Sequence, residues 1–319
     1  MGKDKTIEKI CIFGVGGVGG FFGGQIACRM NAEKDANLEA YFVARGSHLD
    51  AINRNGLTVI TPNETLVGKP TLATDDIDNV PDPDLILLCV KGYGLEEAVK
   101  AIGPKVNKET IIVPLLNGAD IHDRIRVHLD TGIVLPACVY VGTHIERPGV
   151  ISQNGGDGKI LFGKGPGFPD FKAENVVKFF EEMGFNFEWN DDPFPAIWSK
   201  YIFIAAYGLA TVYTGKTIGG ILTDEKAKKL TLDIMQEIKA IADKKRIDLP
   251  ATIIEDAFSK GNNFPFETKT SYQRDVETKG KLNEGDLYGG TIVREGESLG
   301  GATPVTASIY SEIRNRLGG

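Results

Sequence analysis

The chain has 319 residues, 42% of them hydrophobic and 25% charged, and a formal net charge of −7. That length exceeds one ordinary core and points to two domains of average globular composition. The acidic balance excludes nucleic acid as a partner, which needs a basic face, and no apolar run reaches the roughly 18 residues of a membrane span.

The opening MGKDKTIEKI has no apolar signal core, so a cytoplasmic location is expected. From there strand and helix patterns alternate. KICIFGV (9–15) reads as a strand and 18–30 as a helix that buries Phe21, Phe22, Ile26 and Met30. LEAYFVAR (38–45) is a second strand, and 57–61 with 64–74 reads as a hairpin insertion. PDLILLCVK (83–91) is apolar throughout, as in a strand covered on both faces of a parallel sheet. An amphipathic helix over 95–106, a strand over 110–118, a helix over 121–129 and a strand over 133–146 follow. Residues 148–163 read as a hairpin and 172–184 as a helix before FNFEWN (185–190). Repeated β-α-β predicts an α/β fold with a doubly wound, Rossmann-type sheet. After DDPFP the pattern is helical at 195–212, 223–246, 250–260, 270–280, 286–300 and 303–317. The expected division is a nucleotide-binding domain over 1–190 and an all-helical domain over 191–319.

Seven glycines crowd ICIFGVGGVGGFFGG (10–24), and Gly14, Gly16 and Gly19 fit G-x-G-x-x-G between a strand and a helix. Gly14 would allow the tight turn, Gly16 would admit a pyrophosphate against bare backbone, and Gly19 would let helix and strand pack closely. With Val15, Gly17 and Val18 they form the expected cofactor loop, its phosphates held by the N–H groups that open the helix. Gly20, Gly23 and Gly24 fall outside this explanation. At the end of the second strand, where an NAD site carries an acid, stands Arg45. A guanidinium suits a 2′-phosphate, so the expected cofactor is NADP(H).

The cysteines, Cys11, Cys28, Cys89 and Cys138, form no CxxC pair and read as reduced packing residues. His48, His122, His128 and His144 show no zinc-like spacing, so no metal site is expected; His122 and His128 read as residues of a surface helix, and His144 either as packing or as a cofactor contact.

Several landmarks occur in one order: the glycine loop, VAR (43–45), LLCVKGY (87–93), PLLNGAD (114–120), GTHIERPGVI (142–151), IWSKYIFIAA (197–206) and TSYQRDVETKGKLNEGDLYGG (270–290). Together they resemble the ketopantoate reductase family over nearly the whole chain. The resemblance implies a Rossmann domain before a helical one, with NADPH and substrate in the cleft between them. It implies reduction of 2-dehydropantoate to pantoate, a step toward coenzyme A. Lys91 and Asn117 would be cofactor contacts, and Asn117 would also lie near the substrate. Lys200 would bind the substrate and donate the proton, its charged form disfavoured by apolar neighbours. Ser271 would bind the substrate carboxylate, and Glu284 would touch cofactor and support catalysis. Asp275, one turn after Ser271, would shape the pocket or cap an arginine. One extra residue between Asp275 and Glu284 departs from the family pattern. So do Ile204 and Gly208, four and eight residues after Lys200, where the family commonly carries asparagine. They make the pocket more apolar and keep alternatives open: another branched 2-oxo acid, a 3-hydroxy acid or glycerol-phosphate dehydrogenase, or a non-catalytic NADP sensor. The helical domain could support a homodimer.

Overall fold

The computed structural model describes residues 6–33 and 37–318. Two compact units emerge, residues 1–116 with 121–193, and residues 117–120 with 194–319.

In the first unit the elements run β1 (Lys9–Phe13), α1 (Gly17–Glu33), β2 (Glu39–Val43), α2 (Gly46–Asn55), β3 (Leu57–Ile60), β4 (Thr65–Gly68), β5 (Leu72–Thr74), β6 (Leu85–Leu88), α3 (Leu95–Ile102), β7 (Ile111–Pro114), α4 (Ile121–Arg126), β8 (Ile133–Val134), β9 (Ala137–Arg147), β10 (Val150–Gly163), α5 (Glu174–Glu182) and β11 (Phe187–Asn190). Six strands form a sheet in the order β5-β2-β1-β6-β7-β8, every pair parallel. This is the doubly wound Rossmann-type sheet that the alternating pattern predicts.

A second sheet joins β11, β10, β3 and β4, with β9 antiparallel to β10. It corrects three readings of the sequence. Residues 64–74 are not one strand: β4 pairs with β3, but beyond Pro70 the chain joins the first sheet as β5 beside β2. The apolar run 133–146 breaks at Pro136, which has no N–H to give to a ladder; β8 ends in the first sheet and β9 starts in the second. Residues 148–163 are not a hairpin but its second arm, since β10 turns back on β9 at Pro148–Gly149.

The glycines of α1 are explained by this second sheet. A Cβ at Gly23 would stand 3.1 Å from Ile12 and Phe42 of the first sheet. On the opposite face, a Cβ at Gly17 would come 2.7 Å from the backbone oxygen of Thr143 in β9, and one at Gly20 2.5 Å from Ile151 in β10; Gly24 presses likewise on Val59 of β3. Thus α1 is clasped between two sheets. Phe21, Phe22 and Ile26 are buried in the same core, with Met30 packed against its margin. Helix α2 carries His48, which is buried; its Nδ1 accepts the N–H of Gly149 at 3.0 Å and so ties α2 to the β9–β10 turn. His122 is also buried, contrary to the surface position its helix suggested, whereas His144 is exposed on β9 beside Asn154. The four cysteines carry thiols, and burial pushes that of Cys11 up to about 12.

The second unit is helical: α6 (Phe194–Thr214), α7 (Ile218–Thr223), α8 (Glu225–Lys244), α9 (Ile253–Ser259), α10 (Ser271–Glu277), a π-helical turn (Asp286–Gly290), α11 (Thr291–Ser298) and α12 (Pro304–Leu317). Apolar on most of its surface, α6 is the central helix, and its Ile202, Ala205, Ala206 and Leu209 are core residues. Side-chain caps start several helices: Thr217, Asp224 and Thr270 accept the N–H of Gly220, Ala227 and Gln273. No helix among the described residues is long and apolar enough to cross a membrane.

Two tests follow from the packing of the first unit. Gly16, whose added Cβ would meet nothing within 4 Å, should accept alanine with unfolding free energy within about 0.5 kcal/mol of wild type. Gly17→Ala, pressed against backbone that cannot rotate away, should lose roughly 1–3 kcal/mol in denaturant titrations. The second test concerns His48, whose basicity burial lowers from the ordinary 6.5. As pH falls below that value the unfolded chain takes up its proton first, so the stability contributed by the neutral ring is complete above 6.5 and lost below it. The melting temperature of His48→Asn should therefore fall less steeply than that of wild type between neutral and mildly acidic buffers.

Candidate active site

The glycine loop is built by a parallel sheet and one helix. Phe13 stands in register between Val43 and Leu88, so the segments leaving β2, β1 and β6 emerge side by side at the carboxyl edge of the sheet. Such an edge is where doubly wound sheets take their ligands. Gly14 has φ = 95°, a conformation that favours glycine, and a Cβ there would lie 2.9 Å from the carbonyl oxygen of Cys89. The N–H groups of Gly14 and Val15 both donate to the carbonyl of Val43, at 3.1 and 3.2 Å, which closes the turn. Gly16 faces open space. Gly17, Val18 and Gly19 then form the first turn of α1, whose N–H groups have no partner inside the helix. Gly19 is held against the Gly14 carbonyl and Cys89.

Arg45 follows β2, is exposed, and stands immediately before the first turn of α2. Among the described residues its guanidinium has no hydrogen-bond or ion-pair partner. Lys91 lies beyond the end of β6, exposed, at the start of the short turn Gly92–Gly94. The cofactor residues read from the sequence, Gly14 to Gly19 with Arg45 and Lys91, thus share one edge of one sheet. Asn117 follows β7, and residues 117–120 pack with the helical unit.

There the side chains form a second cluster. Lys200, on α6, is buried, and its Nζ donates to Oδ1 of Asn117 at 2.8 Å. Nδ2 of Asn117 points the other way and donates to the hydroxyl of Tyr288 at 3.5 Å. Ser271, in the first turn of α10, is close enough to the same hydroxyl to affect its acidity, and Glu284, also buried, is close enough for its charge to act on it. Burial above all, then Glu284, drives the acidity of Tyr288 far down and keeps the phenol protonated, although Ser271 and Asn117 oppose this. Lys200, Asn117, Ser271 and Glu284 are therefore neighbours around one phenol, although they lie far apart along the chain. Asp275, also buried, makes a 2.6 Å ion pair with Lys281, and its charge too acts on the Tyr288 phenol.

Tyr288 is the member that sequence reasoning missed. It lies in GDLYGG as one aromatic among small residues, and only its place on the π-helical turn brings it into the cluster. Such turns interrupt regular helices most often at functional sites. Ile204 follows Lys200 by about one turn and is half-buried. A Cβ at Gly208 would rest 3.7 Å from the ring of Tyr272 and 3.8 Å from that of Tyr288, so aromatic rings fill the space that a longer side chain there would need.

Buried amine, carboxamide, hydroxyl and carboxylate together can bind a small oxygen-rich molecule and pass a proton to it. Comparisons with known proteins identify one family across both halves of the chain. The family model described as ketopantoate reductase PanE/ApbA matches residues 10–167, and the one described as its C terminal matches residues 194–316. A 2-dehydropantoate 2-reductase of Mesorhizobium japonicum is 26% identical over 329 residues, covering 96% of this chain and 97% of that one. Among solved structures, the 2-dehydropantoate 2-reductase of Porphyromonas gingivalis W83 is 31% identical, with a TM-score of 0.82 over 97% of this chain and 99% of that one. D-mandelate dehydrogenase, solved with NADH and anilino(oxo)acetate, shares the fold at a TM-score of 0.82 and 21% identity, over 97% of this chain and 98% of that one. With both halves matched in order, the chain belongs to the ketopantoate reductase PanE/ApbA family of oxidoreductases.

Proposed function

We propose that the chain reduces a 2-oxo acid with NADPH, 2-dehydropantoate being the first candidate, and that Lys200 is the proton donor. The observation that carries this is the buried Lys200 ammonium bonded to Asn117 and gathered with Ser271 and Glu284. Burying an ammonium costs several kcal/mol unless it is paired, and a cluster of that kind is more often chemical than structural.

The open space at Gly16, the first turn of α1 and the uncommitted Arg45 fit a dinucleotide phosphate. Gly14 to Gly19 would hold the diphosphate, and Arg45 the 2′-phosphate with Lys91 nearby along the edge. When bound, NADPH supplies a hydride. The remaining work falls to this chain's own groups. Lys200 donates a hydrogen bond to the ketone oxygen, which draws electrons from the carbon, and then releases a proton to that oxygen as the alcohol forms. Asn117 holds the amine in place, and the hydroxyl of Ser271 orients the substrate carboxylate. Glu284 offsets the positive charge of Lys200 between turnovers.

Ile204 and the rings that fill the space at Gly208 favour, as a second reading, a 2-oxo acid with a more apolar side chain than ketopantoate.

The direct test is NADPH oxidation over 2-dehydropantoate and a panel of branched and aromatic 2-oxo acids. Turnover of at least one is expected; oxidation with none would remove the proposal. With the substrate so found, Lys200→Ala should lower kcat by about 10²–10⁴ while NADPH still binds, as titrations of its fluorescence would show. Arg45→Ala should weaken NADPH by roughly 10- to 100-fold and leave NADH almost untouched; equal losses would show that the arginine does not read the phosphate.

A further inference from the structure

We propose that Tyr288 is a positioning residue: its hydroxyl decides which end of the Asn117 carboxamide faces the Lys200 ammonium. The inference rests on the role given above to Lys200.

A carboxamide has nearly the same shape either way round, but its two ends are opposite in function, one accepting and one donating. An ammonium only donates. Turned the wrong way, Asn117 would set NH₂ against NH₃⁺, donor against donor. Something must hold the carboxamide with its oxygen toward Lys200, and that is an acceptor at the far end. The Tyr288 hydroxyl stands there, 3.5 Å from Nδ2, while Oδ1 accepts a hydrogen bond from Nζ at 2.8 Å. Ser271 also lies close to this hydroxyl. The relay runs from Lys200 through Asn117 to Tyr288.

The phenol can do this because it cannot move. Its residue is buried, its ring lies 5.5 Å from that of Tyr272, and Gly208 leaves just enough room beside both. Below it, Tyr201 donates to the carbonyls of Leu287 and Tyr288, each at 2.9 Å, and pins the backbone of the π-helical turn. Ring packing and backbone anchoring are independent of the hydroxyl, so Tyr288→Phe removes the acceptor and keeps the rest.

That variant should unfold at the wild-type temperature and bind NADPH as wild type does. On the 2-oxo acid that wild type reduces best, kcat should fall about 5- to 50-fold, with KM changing by less than about threefold. In an Asn117→Ala background the same substitution should cost nothing further, because the relay is already cut. A readout independent of turnover is the ¹⁵Nζ ammonium resonance of Lys200 in lysine-labelled protein, assigned by its loss in Lys200→Arg. The resonance should shift or broaden in Tyr288→Phe. Additive losses in the double variant, or an unchanged resonance, would overturn the proposal. A wild-type protein that reduces no 2-oxo acid would instead refute the functional reading, and the resonance would then decide the positioning claim alone.

Discussion

Everything in the first unit is arranged around the close approach of one helix backbone to two sheets. α1 meets the parallel sheet at Gly19 and Gly23 and the second sheet at Gly17, Gly20 and Gly24. A helix so poor in side chains is weak by itself, since each interior glycine costs about 1 kcal/mol against alanine. Packing on both faces offsets that weakness. The N-terminus of the helix is thereby fixed against the turn at Gly14, and the edge it shares with Arg45 and Lys91 is as rigid as the sheet that carries it. Glycine serves two ends along this segment: at 14 it permits a conformation, and from 17 onward it permits proximity.

The helical unit solves a different problem. It keeps an ammonium away from water, which is tolerable only with an acceptor placed beforehand. Asn117 supplies that acceptor from a four-residue segment that leaves its own neighbours in sequence to pack among the helices. Preorganisation of this kind makes a proton donor effective, because no solvent or side chain has to rearrange as charge moves.

Much of this was legible in the sequence, and the reasons are local. The period of apolar residues gave the alternation of strand and helix, and G-x-G-x-x-G in its strand–helix setting gave the loop. The second sheet was not legible, because its strands come from separate segments and their partners depend on pairing over a distance. Pro136 is one residue in an apolar run, and nothing nearby reveals that the chain changes sheets there. Helix α2 escaped notice because GSHLDAINRN is short and weakly apolar. His122 looked exposed because its helix carries charges on both sides of it. Tyr288 was hidden for the most instructive reason: its place in the cluster depends on an irregular turn, which leaves no period to read.

The clasp around α1 also bears on how the chain matures. One jaw is the parallel sheet and the other needs β9 and β10, residues 137–163, so the segment that opens at Gly17 lacks its second support until about half of the polypeptide has been made. Contacts so distant in sequence form slowly, because the intervening chain must be ordered first. The earliest part of the protein to be synthesised is in this sense among the last to be finished.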